Sequence, residues 1–275
     1  MFHLQPAALA RILGAAAGIA VGTAGRAQTA DQIIAKARAY LGGDAALTAV
    51  QSVHFVGTME TQEMTADGLK PAKFAIEIIF QKPYQQRITK TSATIIETTG
   101  LDDLEAWQRI DDVTNPSRWR LSLLAPELVK KLRANTWENL NFFKGIERRG
   151  GRVEVLGPAT VDGVATVKAA FIHGLGIVFN RYFDLATGRL VVTETEQGGR
   201  IKEEGEIMVN GLRFPRSVTT ATKVTDAKNQ VIDNAVVITF DRITLNEAFP
   251  DSYFDVPALS RPRAAPAPAA PAPAH

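Results

Sequence analysis

Lys73 to Pro83 reads K-F-A-I-E-I-I-F-Q-K-P, and its alternation decides the fold class. Phe74, Ile76, Ile78 and Phe80 share one face, opposite Ala75, Glu77, Ile79 and Gln81. A period of two marks a β-strand covered on one side. Upstream, V-H-F-V-G-T-M-E-T from Val53 to Thr61 repeats the pattern, with Val53, Phe55, Gly57 and Met59 on one face. Further strand-like runs follow at Gln85 to Lys90, Ala93 to Thr98 and Glu105 to Ile110, with short turn-rich breaks that suggest an antiparallel meander.

On the N-terminal side of this block the period changes. T-A-D-Q-I-I-A-K-A-R-A-Y-L-G-G is a helix with Ile33, Ile34, Ala37 and Leu41 at helical spacing. Thr29 or Asp31 can cap its free N–H groups, and Gly42-Gly43 stop it. Asp44 is expected to cap a short second turn. On the C-terminal side the meander is interrupted near Pro126. P-E-L-V-K-K-L-R-A reads as a helix with proline at its first position, and N-T-W-E-N-L-N-F-F-K-G after it as a helix or tight loop. Strands resume at Arg152, Val164 to Ile172, Ile177 to Asp184, Leu190 to Thr195, Glu203 to Met208, Arg216 to Thr222 and Val236 to Phe240. Asp184 to Gly188 is a turn, and Asn210-Gly211 between Val209 and Leu212 is a hairpin signal. The fold class is mainly β (α+β): a large curved antiparallel sheet with an N-terminal helix and a helical insert.

The ends carry different chemistry. Arg11, the short apolar run Ile12 to Ala24 and the small residues of Gly25-Arg26-Ala27 form an export signal with a cut expected before Gln28. The run is too short for a membrane span, which needs about 20 apolar residues. The expected organisation is a signal peptide over 1–27, one domain over 28–257 and an extended Ala/Pro-rich tail over 258–275. The chain has no cysteine, so it carries neither a disulfide nor a lipid on an N-terminal cysteine. These features lead to the expectation that the mature protein works outside the cytoplasm, in the periplasm, released from the signal and not held by it as an anchor.

Removing 1–27 takes Arg11 and Arg26 from the 31 basic residues and none from the 29 acidic ones. The mature chain is then neutral and shows no basic stripe interleaved with aromatics, which argues against nucleic acid as a partner. Catalytic patterns are equally missing. His54, His173 and His275 are not at metal-ligand spacing, and there is no G-x-S-x-G elbow, phosphate-cradling glycine loop or cysteine nucleophile. No cofactor, no metal and no enzymatic activity are expected. His54 lies opposite Phe55 and reads as a solvent-side strand residue. Asp102-Asp103 and Asp111-Asp112 read as loop positions, since adjacent strand residues point to opposite faces. Arg148-Arg149-Gly-Gly-Arg152 reads as a solvated turn.

Several segments resemble a known family. Y-L-G-G-D-A-A-L-T-A-V-Q-S-V-H-F-V-G-T (Tyr40 to Thr58) is similar to the start of LolA-like proteins, the outer-membrane lipoprotein-sorting family. The resemblance continues through G-R-V-E-V-L-G-P-A-T-V-D-G-V from Gly151, R-Y-F-D-L-A-T-G-R-L from Arg181, and G-E-I-M-V-N-G followed by L-R-F-P from Gly205. It ends with F-P-D-S-Y-F-D-V-P from Phe249. It implies an unclosed β-barrel whose concave apolar face is covered by helices. It also implies carriage of lipid-modified proteins across the periplasm, with a membrane-bound donor or acceptor as partner. Without the lipid-bearing cysteine of the receptor branch, a soluble carrier, expected as a monomer, is the nearer analogue.

On that geometry, a gap under the helices would be lined by Phe55, Phe74, Ile76, Ile78, Phe80, Ile177 and Phe179 from the sheet. Trp137, Leu140, Phe142 and Phe143 would form its lid. The alternative is that these side chains interlock in a dry core. The expected function is a non-catalytic carrier of lipid or lipoprotein acyl chains. The other reading is an envelope interaction or sensor module built on the same fold without a lipid cargo.

Overall fold

The computed structural model describes residues 28–65, 68–174, 176–196, 198–225 and 231–257. The expected signal peptide and tail lie outside them. Helices α1 (Ala30–Leu41) and α2 (Asp44–Ala49) lead into β1 (Ser52–Thr65), β2 (Gly68–Gln81), β3 (Gln85–Thr91), β4 (Ile95–Asp102), β5 (Glu105–Asp112) and β6 (Trp119–Leu123). Helix α3 (Pro126–Asn141) and a short 3-10 turn (Ile146–Arg149) follow. The second run of strands is β7 (Arg152–Val161), β8 (Val164–Gly174), β9 (Ile177–Asp184), β10 (Leu190–Thr195), β11 (Arg200–Glu204), β12 (Ile207–Val209), β13 (Leu212–Phe214), β14 (Ser217–Thr225) and β15 (Val231–Leu245). Thirteen of these strands make one antiparallel sheet in the order β6-β5-β4-β3-β2-β1-β15-β14-β11-β10-β9-β8-β7. Its edges, β6 and β7, do not pair with each other, so the sheet is an unclosed barrel. β12 and β13 stand apart as a hairpin.

The alternation that marked β1 and β2 becomes a set of cross-strand pairs. Val53 faces Phe80, Phe55 faces Ile78, Gly57 faces Ile76 and Met59 faces Phe74. Such pairs stabilise a sheet by packing side chains across the strands. Gly57 also sits where β1 slips register against β15. A Cβ there would lie 2.0 Å from the Thr239 carbonyl oxygen, so only glycine lets the two backbones meet.

Thr29, and not Asp31, caps α1: its Oγ1 accepts from the Gln32 amide while Gln32 Oε1 accepts from the Thr29 amide. This reciprocal pair is a capping box. Asp44 does not cap α2 either. Gly43 holds the cap position, and the Asp44 carboxylate instead takes Arg38 and Lys144. The two helical pieces of the insert are one helix, α3, which runs through Trp137 to Asn141. It stops at Phe142 and Phe143, both in the left-handed region at φ 47° and 74°.

The rest of the sequence reading needs four corrections. The run Glu203 to Met208 is cut in two by Gly205, whose φ of 66° ends β11 before β12 begins. Asp102 ends strand β4, and Asp111 and Asp112 end β5, instead of lying in loops; Asp111 and Asp112 accept from Arg109 and Thr114. Arg149 is no solvated turn residue: its guanidinium stands 5.0 Å from the Tyr84 ring and 5.4 Å from the Trp137 ring. His54 is 6% exposed and not solvent-side. It shares a row with Ile79, Arg87, Gly100 and Trp107 on the far face of the sheet. The segment after β15 crosses that row. His54 bonds Glu247 at 2.8 Å and Glu77 at 2.9 Å. Arg87 donates to the Tyr253 carbonyl and Trp107 to the Phe254 carbonyl, each at 2.8 Å.

The near face carries the main core. Leu47 and Val50 at α2, Leu140 and Phe142 at the end of α3, and Leu212 and Phe214 of the hairpin pack onto Phe55, Ile76, Ile78, Phe80 and Phe240. A second cluster joins Ile33, Ile34 and Ala37 of α1 to Phe171 and Phe183 of β8 and β9. Both clusters lie under the helices and leave open space between them.

Candidate functional site

That space is a cavity of about 860 Å³, inside the range of about 300–1,000 Å³ usual for ligand pockets. Its floor is the near face of the sheet: Phe55, Ile78, Phe80, Ile88, Phe179, Ile201, Val218, Ile238 and Phe240. Its roof is α1, the end of α3 and the β12–β13 hairpin, which contribute Leu41, Phe142, Phe143 and Phe214. Rings dominate one wall. Phe55 lies 4.7 Å from Phe240, 6.0 Å from Phe214 and 6.3 Å from Phe80, between centroids.

Of the residues expected from sequence to line a gap, Phe55, Ile78, Phe80, Phe142, Phe143 and Phe179 do so. Ile76 and Leu140 are instead consumed by the core, at 4% and 0% exposure. Phe74 packs at the edge of that core, with Lys90 Nζ 6.0 Å from its ring. Ile177 is opposite Gly174 at the beginning of β9, beyond the cavity. Trp137 stacks on Tyr84 at 5.8 Å. Helical spacing explains the split along α3. Asn135, Glu138, Asn139 and Phe142 recur at the positions that share one helix face, and that face lines the cavity. Trp137 and Leu140 fall on the side of the helix turned away from that face.

The cavity is not uniformly apolar, and the polar lining is what the sequence reading missed. Glu138 of α3 accepts from Arg181 Nη1 at 2.6 Å and from His173 Nε2 at 2.5 Å, and all three side chains are buried. Burial alone would push the Glu138 carboxyl up. Arg181 and His173 outweigh it and hold the group below the usual carboxylate range. The Arg181 guanidinium lies among the Phe143, Phe171 and Phe179 rings, 4.6–5.5 Å from their centroids. At the rim, Tyr40 donates to Glu206 at 2.5 Å, and Arg213 lies 3.4 Å from the same carboxylate.

Glu203 is different. Its side chain points from β11 into the cavity beside Val218, and among the described residues it has no hydrogen bond or ion pair. It keeps some contact with the cavity space, yet protein surrounds it, and burial raises its carboxyl above the usual range against the pull of Arg181. The signal for both charges was present in the strand period. Arg181 alternates with Phe179 and Phe183, and Glu203 with Ile201, so each is a charged residue at an inward position.

Among the described residues, no group of three or more His, Cys, Asp or Glu side chains could hold a metal. Nor is any helix there long and apolar enough to cross a membrane.

No protein-family model and no curated protein matches the chain. Solved structures do. A LolA superfamily protein from Nitrosomonas europaea is 12% identical, with a TM-score of 0.53 over 83% of this chain and 98% of that one. An outer membrane lipoprotein-sorting protein domain from Vibrio parahaemolyticus is 9% identical, with a TM-score of 0.50 over 82% and 97%. A DUF1329 family protein from Desulfovibrio piger is 8% identical, also at 0.50 over 82% and 97%. At these identities the likeness is one of fold, and the chain has a LolA-like fold.

Proposed function

We propose that the protein is a non-catalytic periplasmic carrier that holds a lipid or lipoprotein acyl chain in the cavity beneath α1, α3 and the hairpin. The observation that carries this reading is a mostly apolar, open-mouthed cavity of about 860 Å³ between two finished cores. A dry interior does not leave such a space, because protein cores pack as densely as organic crystals. The LolA-like fold and the export signal expected at the N-terminus support the same reading. A membrane-bound donor or acceptor protein is the partner that goes with it.

The energetics suit reversible carriage. Each buried methylene contributes roughly 0.8 kcal/mol, so an acyl chain of about 16 carbons gains about 12 kcal/mol gross. Association costs of about 4–15 kcal/mol remove much of that. The residual affinity lets a more apolar acceptor draw the chain out.

Titration of the purified chain with a fluorescent fatty acid tests the reading. Saturable emission enhancement, competed by unlabelled lipid and lipopeptide, is expected. Absence of uptake would move the assignment to an interaction module that uses the same fold without lipid.

A further inference from the structure

β11 reads R-I-K-E-E, and its two faces are treated differently. Arg200 and Lys202 point outward and pair with Asp162. Ile201 and Glu203 point inward and line the cavity. The cross-strand row that contains Glu203 continues as Val218, Ile238, Met59 and Phe74, so the carboxyl stands at the end of an apolar row. A strand face of this kind is normally filled by an aliphatic side chain, and a lone carboxyl there costs stability.

Arg181 eases that cost only through its charge, and among the described residues no hydrogen bond or ion pair reaches the Glu203 carboxyl. Glu138 takes Arg181 Nη1, and Glu206 takes Tyr40 and Arg213. Arg189 lies on the turn beside Asp184. Glu204, next in the chain, is exposed. Glu138, Arg181, Glu206 and Arg213 are thus paired, while Glu203 is inside and has no hydrogen bond or ion pair among the described residues.

We propose that Glu203 is the head-group anchor of the cavity, and that the ligand is an amphiphile carrying a protonated amine on an aliphatic chain. This rests on the acyl-chain reading above and names the chemistry of the head. The ammonium donates to the Glu203 carboxylate, where the low dielectric strengthens a charge-assisted hydrogen bond. The aliphatic chain then runs along Val218, Ile238 and Phe240 toward Phe55. A fatty acid of equal length meets repulsion at the same carboxylate, and a fatty alcohol neither gains nor loses. Specificity therefore comes partly from what the site rejects.

The test is displacement of a bound fluorescent fatty probe from the full chain at pH 7 by dodecylamine, dodecanol and dodecanoic acid. Dodecylamine is expected to bind about tenfold more tightly than dodecanol, one decade of affinity for one charge-assisted bond, and dodecanoic acid more weakly than either. In Glu203→Gln, which keeps size and shape, the amine preference collapses while the affinity for dodecanol is retained. The wild-type ranking is read before any variant, so a folding defect in the substitution cannot rescue the idea. Equal affinities for the three compounds in wild type would overturn the anchor and leave the acyl-chain reading intact. Failure of all three to displace the probe would overturn both.

Discussion

Nη1 of Arg38 donates to the Phe142 carbonyl at 3.0 Å, joining the first helix to the end of the helical insert. The same nitrogen reaches the Asn141 carbonyl at 2.9 Å, and the other guanidinium nitrogens take Asp44 and Thr48. The last carbonyls of a helix have no partner within it, and a buried cation is well placed to satisfy them. Arg38 is 2% exposed, so the roof of the cavity is fastened from inside.

Arg38→Ala strands the buried Phe142 carbonyl, while that of Asn141 keeps the Lys144 amide, and should lower unfolding free energy by about 1–3 kcal/mol. Arg38→Lys should recover little, because an ammonium cannot reproduce the guanidinium fork. Urea denaturation of both variants measures this.

Glu138→Gln should cost about 3–5 kcal/mol at neutral pH, since it leaves Arg181 buried without its counter-charge. The Glu138 carboxyl is depressed in the folded state. Its contribution is therefore complete above the ordinary carboxylate range and lost as pH falls through the folded value. The gap between wild type and variant should narrow on acidification, as read from urea midpoints at successive pH values.

Glu203→Gln should do the reverse. This carboxyl is raised in the folded state, so with rising pH the unfolded chain ionises first and wild type loses stability. The variant should match wild type in acid and exceed it at neutral pH. A variant less stable than wild type at pH 7 would mean that the carboxylate has a partner in the folded protein.

Val218→Trp and Ile238→Trp place bulk into the cavity from half-buried floor positions. Each should weaken binding of a fluorescent fatty acid by about tenfold or more while the far-ultraviolet spectrum is retained, since steric exclusion of even a few methylenes at roughly 0.8 kcal/mol each suffices. Ile76→Val, a change in the dry core, should instead cost about 0.5–1.5 kcal/mol of stability and leave affinity unchanged.

Much of the fold was legible because it is written locally. The alternation in Val53 to Thr61 and Lys73 to Pro83 marks the apolar faces that carry Phe55 and Ile78, which the structure sets opposite each other, and Asn210-Gly211 makes the turn that joins Val209 to Leu212. What escaped is long-range. His54 carries no mark of the segment after β15 that buries it. β6 reads W-R-L-S-L and does alternate, but it is a five-residue edge strand whose Trp119 and Leu123 remain exposed, so its signal is short. Along α3 the cavity side is the polar stripe of Asn135, Glu138 and Asn139, whereas an apolar lid was expected from Trp137 and Leu140. Hydrophobicity locates cores well. A binding cavity is a place where that rule is partly set aside, and there the inward charges were the better signal.

The most direct test of the account is native mass spectrometry of the protein purified from the cells that make it, followed by lipid extraction. A co-purifying acyl-chain species at one per protein, absent from Ile238→Trp, is the predicted result. A clean protein mass that takes up neither added lipids nor lipopeptides would contradict it.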